Sequence, residues 1–302
     1  MDGWLMKGKR FVRRTVLFLL KRFARFIPGR LYLSAMYYVL LGRRLHLDDP
    51  QTFTEKLQWL KLYYYRPEST EMVDKYLAKK WIADRIGADY IVPTLGVWKC
   101  VDDIDFDSLP DRFVLKCNHD NGSVVVCKDK SRFDIRAAKE KLNRCMRRDF
   151  YAQTREWPYK NVSRRIIAEA YLNDGSGDLK DYKFLCFDGV PRVMYVVGNR
   201  AVGLTTDYYD MDFHFLPIVS RDGGPSGISR EKPLLFEEMK RIASILSAGF
   251  PHLRVDFYCV RDRLYCGELT FFVSSGYDDL FSMEWDRKFG DWLTLPPKNV
   301  GK

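Results

Sequence analysis

Two short stretches near the C-terminus decide the fold: residues 254–258 are RVDFY, and residues 267–271 are GELTF. Both alternate polar and apolar residues, which is typical of a β-strand that buries one face. The intervening residues 261–263, RDR, predict a three-residue hairpin turn. Pairing about the centre of that turn places Asp256 opposite Glu268, with apolar residues on the other face of the hairpin.

The predicted pairing brings two negative charges together. Directly opposed side chains lie about 4.5–5.5 Å apart at Cβ, so Asp256 and Glu268 would repel each other unless positive charge lies between them. A divalent cation with oxygen ligands and bridging phosphates fits this arrangement better than Arg254 alone. The alternative is a half-exposed hairpin whose two acids simply meet solvent. The hairpin by itself leaves both possibilities open.

Two further segments bear on that choice. Lys116 ends a predicted strand, just before the polar loop at residues 118–123, and a lysine beside turn N–H groups suits phosphate oxygens. A surface lysine next to a hairpin turn is the alternative. Glu169 is the single acid in the apolar run 166–172. This run is either an ordinary buried strand or a hinge strand that recognises an adenine edge.

Length and composition exclude several classes of protein. The chain has 302 residues, of which 46% are hydrophobic and 15% aromatic, which excludes a disordered tail, a collagen-like fibre and a disulfide mini-protein. Residues 1–44 carry eleven Lys and Arg against one acid, Asp2, so the whole formal charge of +10 lies there. A nucleic-acid-binding protein would spread its basic residues over a folded surface, so we expect no nucleic acid partner.

The basic segment itself predicts an amphipathic helix over residues 9–27. One possibility is that this helix packs on the main body and exposes a solvated basic face. The other is that it lies on the anionic inner leaflet of a membrane, with Trp4, Phe11, Phe18 and Phe26 near the headgroups. The predicted apolar face comprises Val12, Val16, Leu19, Leu20, Phe23 and Ile27.

The cysteines and histidines indicate neither a disulfide framework nor a zinc site. Seven Cys occur without C-x-x-C spacing, and the four His include no H-E-x-x-H motif. We therefore expect free thiols in a reducing cytosol.

The remaining periodicities alternate between helices and strands, which indicates an α+β or α/β body. Thr52 and Glu55 form a capping box that predicts the start of a helix. A second helix is predicted over residues 70–86.

In order and kind, these segments resemble the ATP-grasp superfamily, and more closely the TupA-like ATP-grasp family, which is associated with teichuronopeptide and other bacterial surface-polymer synthesis. The resemblance implies an α+β ATP-grasp fold in which two α+β subdomains sandwich ATP. It also implies a division of the chain into a basic helical extension, an N-terminal helical and α/β region, a lid subdomain and a catalytic subdomain, at residues 1–47, 48–108, 109–172 and 173–302. The matching stretches are 49–60 (DPQTFTEKLQWL), 73–76 (VDKY), 109–119 (LPDRFVLKCNH), 155–160 (REWPYK), 167–169 (IAE), 181–184 (DYKF), 254–258, 267–271 and 290–292 (GDW).

The resemblance also implies roles for individual residues. Thr270 stands where the superfamily usually has Asn, and the phosphate loop is poorer in glycine than usual. The implied roles are phosphate binding for Lys75 and Lys116, loop closure for His119 and Ser123, adenine contact for Glu169 and Leu172, nucleotide contact for Asp181 and Lys183, Mg²⁺ (or Mn²⁺) binding for Asp256, Glu268 and Thr270, and oxyanion contact for Arg254.

The implied activity is that of an ATP- and Mg²⁺-dependent carboxylate–amine ligase that works through an acylphosphate. Its acceptor would be a uronic acid or similar carboxylate of a bacterial surface polysaccharide, and its amine an amino acid. A flap at about residues 110–168 would exclude water. The alternatives are a sugar kinase with the same fold and a glycosyltransferase that uses the D-x-D elements at residues 105–107 or 210–212. A membrane-surface scaffold is a further alternative, but it would not explain the pattern of residues 254–271.

Overall fold

The computed structural model describes residues 2–198, 203–219, 224–277 and 282–299. The basic segment forms helices α1 (Asp2–Arg22) and α2 (Gly29–Leu41), which the 3₁₀ turn Ala24–Phe26 joins. The two helices are tied by a 2.7 Å hydrogen bond from Arg13 to the carbonyl of Leu40. The helix predicted over residues 9–27 is therefore confirmed in kind, but it runs from Asp2 to Arg22 and ends before residue 27.

Three helices follow, and the break between the last two determines the position of Lys75. The predicted capping box is confirmed at the start of α3 (Phe53–Tyr63). The single helix predicted over residues 70–86 is wrong, because it is divided into α4 (Ser69–Val73) and α5 (Leu77–Ile86). The Asp74 carboxylate accepts hydrogen bonds from the N–H groups of Tyr76 and Leu77, at 2.9 and 3.2 Å, and so starts a new helix. Lys75 lies in the break between α4 and α5.

The first sheet is antiparallel and has the order β1-β4-β2-β3. Alternate residues of its central strands, including Phe113, Leu115 and Ile166, pack in a small hydrophobic core with Leu142. Because side chains alternate along a strand, the opposite face carries Lys116 and Glu169. Its strands and accompanying helices are β1 (Thr94–Trp98), β2 (Phe113–Cys117), β3 (Val125–Cys127), α6 (Ile135–Met146), α7 (Phe150–Thr154) and β4 (Ile166–Ala170).

The second sheet is also antiparallel, with the order β10-β9-β5-β6-β7-β8. One of its faces packs in the larger hydrophobic core with Phe236, Met239 and Ile242 of the next-to-last helix. The predicted α+β class is therefore confirmed, while the predicted division of the chain stays a prediction. The elements are β5 (Asp181–Phe187), β6 (Val190–Gly198), β7 (Thr205–Tyr209), β8 (Phe215–Leu216), α8 (Phe236–Ser247), β9 (His252–Val260), β10 (Arg263–Thr270) and α9 (Met283–Trp292).

The β9–β10 hairpin confirms the predicted pairing of Asp256 with Glu268, although the predicted turn is wrong. Val260 pairs with Arg263, so the turn has two residues, and a bulge between Cys266 and Glu268 restores the register. A Cβ at Gly267 would lie 2.6 Å from the ring of Tyr258, so this position needs glycine.

Candidate functional site

Lys116 and Glu169, on the face of the four-stranded sheet opposite its hydrophobic core, form a cluster of two lysines around one acid with Lys79 of α5. Lys116 Nζ lies 2.6 Å from one carboxylate oxygen of Glu169, and Lys79 Nζ lies 2.7 Å from the other. All three side chains are largely buried, at 8–15% exposed. Burial alone would raise the pKa of Glu169, but the ammonium groups of Lys116 and Lys79 lower it below its ordinary value. We call Lys79, Glu169 and Lys116 the lysine-rich cluster.

Lys79 is the residue of this cluster that the sequence analysis missed. It lies on α5, four residues after Lys75, and also donates a 2.6 Å hydrogen bond to the carbonyl of Val92. Burial lowers the pKa of Lys79, although Glu169 opposes the shift. Its spacing from Lys75 was the signal that could have identified it from the sequence, because residues four apart share one face of a predicted helix.

The six-stranded sheet carries a second cluster, in which acids outnumber bases. Lys183, Asp256 and Glu268 lie in one row across β5, β9 and β10, and Arg254 pairs with Thr270 in the next row. Arg254 donates two hydrogen bonds to Asp256, at 2.6 and 2.8 Å.

Lys183 completes this second cluster by joining two of its acids. Its Nζ donates to Asp256 and lies 2.6 Å from Asp181. Burial would lower the pKa of Lys183, but the carboxylates of Asp181 and Asp256 raise it above its ordinary value. We call Asp181, Lys183, Arg254, Asp256 and Glu268 the acid-rich cluster.

Glu268 is the accessible acid of this cluster. Its side chain is 31% exposed, and its carboxylate lies 3.4 Å from both Lys75 and Arg254. Burial would raise the pKa of Glu268, but these two cations lower it to about 2. Among the described residues, the buried hydroxyl of Thr270 has no hydrogen-bond partner. A carboxylate and an unpartnered hydroxyl beside a buried aspartate are oxygen donors of the kind that Mg²⁺ prefers, so these residues fit that ion.

Lys75 connects the two sheets. Its backbone N–H donates to the carbonyl of Asn118 at 3.1 Å, and its Nζ donates to the carbonyl of Asp120 at 2.7 Å. Since the same Nζ lies near Glu268, the loop after β2 is held beside β10. A narrow pocket opens at this junction, and its lining includes Lys75, Lys79, Glu169, Gly267 and Glu268.

The other predicted nucleotide residues do not line this pocket. His119 is buried, and within the described residues both of its ring nitrogens have no partner. Burial lowers the pKa of His119. The hydroxyl of Ser123 accepts a 2.9 Å hydrogen bond from the N–H of Cys117, which fixes the base of the loop. Leu172 is half-buried and lies just beyond the end of β4.

Both D-x-D elements lie in turns. Asp105 accepts hydrogen bonds from the N–H groups of Asp107 and Ser108, and Asp210 accepts them from Asp212 and His214. The second turn joins β7 to β8, at the edge of the sheet opposite β10. The first acid of each element therefore has a local structural role.

Comparison with known proteins assigns the family. The sequence matches the family described as TupA-like ATPgrasp over residues 55–294. The chain belongs to this family. The predicted family and the predicted ATP-grasp fold are thereby confirmed, and every predicted site residue lies within the matched range. Helices α1 and α2 lie outside that range.

Solved ATP-grasp ligases are similar to this TupA-like protein in fold. The D-alanine–D-alanine ligase of Bacillus anthracis complexed with ATP has 15% sequence identity and a TM-score of 0.37, and the match covers 72% of this chain and 55% of that one. The D-alanine–D-alanine ligase of Helicobacter pylori has 15% sequence identity and a TM-score of 0.40, and the match covers 80% of this chain and 69% of that one. The VanG D-Ala:D-Ser ligase of Enterococcus faecalis has 10% sequence identity and a TM-score of 0.42, and the match covers 79% of this chain and 62% of that one.

The chain thus spans about half the length of the Bacillus anthracis ligase. No curated protein matches the sequence.

Proposed function

We propose that the protein is an ATP- and Mg²⁺-dependent carboxylate–amine ligase. The observation that carries this proposal is the presence of two clusters with opposite imbalance of charge that meet at one pocket, where Lys75 pairs with Glu268 of the acid-rich cluster. Lysines in excess suit phosphate oxygens, and acids in excess suit a divalent cation. Membership of the TupA-like ATP-grasp family supports the same activity.

The proposed chemistry assigns a task to each group. Lys75 and Lys116 hold the phosphates, while Glu268, Thr270 and Asp256 hold Mg²⁺, which neutralises charge on the phosphate oxygens when bound. A substrate carboxylate oxygen attacks the γ-phosphorus, and the bond to the bridging oxygen of ADP breaks. Arg254 then stabilises negative charge on the acyl group as an amine nitrogen attacks its carbon. Phosphate leaves and the nitrogen loses a proton, which yields the amide.

We also propose that the acceptor is a carboxylate of a bacterial surface polysaccharide, such as a uronic acid, and that the amine is an amino acid. The support is the association of the family with surface polymers, which is weaker than the argument from the nucleotide pocket. The protein would therefore act in the cytoplasm, before the polymer is exported.

One assay separates the ligase from its alternatives. The protein is mixed with ATP, Mg²⁺, nucleotide-linked uronic acids and amino acids, and the products are followed by mass spectrometry. A ligase releases ADP and phosphate together with a new amide. Formation of ADP with a phosphorylated sugar would instead establish a kinase, and release of nucleotide from the sugar donor would establish a glycosyltransferase.

A peripheral membrane contact through α1 is part of this proposal. Of the predicted apolar face, Leu20 and Ile27 pack against the core, whereas Val12, Leu19 and Phe23 are 46–60% exposed. Phe18 and Phe26 are 67% and 82% exposed, and the side chains of Trp4 and Phe11 lie outside the described part of the chain. None of the helices in the described ranges has the length and apolarity to cross a membrane. Exposed aromatic residues beside basic ones suit an anionic bilayer surface.

Vesicle binding tests this contact. We expect Phe18→Ser combined with Phe23→Ser to reduce co-sedimentation with phosphatidylglycerol vesicles by roughly tenfold, because aromatic anchors supply the buried apolar area. Phe215→Ser is the matched control, since Phe215 is 51% exposed on the distant strand β8. Equal binding by the double variant and the wild type would reject α1 and the adjoining Phe23 as the contact.

A further inference from the structure

We propose that Lys79 is a positioning residue of the nucleotide site, and that it keeps Glu169 charged when Lys116 leaves that carboxylate for the phosphates of ATP. This inference rests on the proposed function. The geometry behind it is an ion triplet in which each lysine binds its own oxygen of Glu169, at 2.7 Å for Lys79 and 2.6 Å for Lys116.

The two lysines are held differently. Lys79 is anchored by a second hydrogen bond, of 2.6 Å, to the carbonyl of Val92. Lys116 projects from β2, and Glu169 is the ion-pair partner that the described part of the chain gives it. Lys79 is therefore fixed to the wall of the pocket, whereas Lys116 can turn towards an anion.

Moving Lys116 has a consequence for the carboxylate. The Glu169 side chain is only 8% exposed, and a buried charge that loses its partners is strongly unfavourable. In the described part of the chain, the other charged or titratable groups that line this pocket are Lys75, Cys266 and Glu268, and Tyr258 also interacts electrostatically with Glu169. Lys75 is engaged by Glu268 and by the carbonyl of Asp120, so Lys79 is the cation that remains for Glu169.

The triplet thus links ATP binding to Lys79. Without nucleotide, either lysine can compensate Glu169. With nucleotide, Lys79 must do so alone. Loss of Lys79 should therefore weaken ATP binding more than it weakens the nucleotide-free fold. In its absence, Glu169 has to take up a proton when ATP enters.

Calorimetry on the full chain with MgATP tests this inference. We expect Lys79→Met to weaken ATP binding roughly tenfold to a hundredfold. Binding by this variant should be accompanied by uptake of close to one proton, which is measured by repeating the titration in buffers of different ionisation enthalpy. The wild type should take up markedly less. Lys79→Arg should restore affinity to within a few-fold, since it keeps the charge.

Two further variants make the result decisive. Lys80→Met is the matched control, because Lys80 is 81% exposed on the same helix and pairs with Asp84 instead; we expect it to bind ATP as the wild type does. If Lys79→Met does not fold, Glu169→Gln is compared with Glu169→Gln/Lys79→Met. With the carboxylate neutral, removal of Lys79 should change ATP affinity by less than about threefold.

The outcomes separate this inference from the proposed function. Equal affinity and equal proton uptake in the wild type and Lys79→Met would overturn the role of Lys79 and leave ATP binding intact. A large loss on removing Lys79 in the Glu169→Gln background would also overturn it, since Lys79 would then act on ATP directly. A wild type that binds no ATP would overturn the proposed function itself.

Discussion

The two clusters that meet at the pocket are opposites in charge. Where α5 meets the four-stranded sheet, Lys79 and Lys116 share the single carboxylate of Glu169. On the six-stranded sheet, the carboxylates of Asp181, Asp256 and Glu268 share the cations of Lys183 and Arg254. Each cluster is therefore unbalanced, with an excess of positive charge in one and of negative charge in the other.

This difference indicates how the site divides its work. A nucleotide triphosphate with Mg²⁺ carries both kinds of charge in one ligand, so its phosphates and its cation can each offset one imbalance. Lys75 contacts the acid-rich cluster through Glu268 and the loop after β2 through Asp120, and so ties β10 to that loop beside the pocket. The predictions below test the two halves in turn.

The largest effect is expected at the centre of the acid-rich cluster. Asp256→Asn should lower ligase turnover by roughly 10³-fold or more, because the proposed metal loses a charged ligand. From the sequence, relief of carboxylate repulsion would make the stability cost small. The structure changes that expectation: Asp256 is 1% exposed and bonded to Arg254 and Lys183, so the variant leaves two buried cations undercompensated. We expect a loss of about 3 kcal/mol in urea unfolding.

Glu268→Gln is the matched comparison for Asp256→Asn. It should lower turnover similarly, but it should cost about 1 kcal/mol or less, since its side chain is 31% exposed. Equal stability losses for the two variants would show that the buried and accessible acids do not differ as described.

An intermediate effect is expected in the lysine-rich cluster. Lys116→Met should weaken ATP binding about a hundredfold, because a phosphate contact is lost, whereas the fold should be little affected since Lys79 still compensates Glu169. Lys139→Met is the control, because Lys139 lies on α6 and pairs with Asp102. Binding calorimetry measures both variants. Unchanged ATP affinity in Lys116→Met would separate this cluster from the nucleotide.

The smallest effect concerns pH. The pKa of Glu268 is lowered to about 2, so its ion pairs stabilise the fold above the ordinary glutamate range and are lost as pH falls from about 4.5 towards 2. Wild-type stability should fall by about 1 kcal/mol more than that of Glu268→Gln over this range. Urea unfolding of both proteins at pH 5 and pH 2 measures the difference. Parallel pH curves would contradict the ion pairing of Glu268.

The sequence predicted the pairing of Asp256 with Glu268 but not how it arises. A three-residue turn without a bulge and a two-residue turn with one extra residue at Gly267 give the same pairing. Alternation of side chains identified the acids, whereas the bulge depends on the close approach of the Tyr258 ring, which is a tertiary contact. Local pattern therefore predicted the pair but could not distinguish between the two backbones.

The lysine-rich cluster was predicted in part. Lys116 and Glu169 were selected from the sequence for separate roles, and the pairing of β2 with β4 places both on one face. The partnership with Lys79 could not be predicted, because it joins a helix to a sheet that begins later in the chain. The functional roles of these residues remain predictions that the experiments above address.

The break at Asp74 has a consequence for Lys75 and Lys79. In an unbroken helix, residues four apart lie side by side, so both ammonium groups would compete for the same acid. Because the helix restarts after Asp74, the first lysine reaches Glu268 on one sheet and the second reaches Glu169 on the other. A single aspartate thus directs two neighbouring lysines to different sheets, so that together they bridge the two sheets at the pocket.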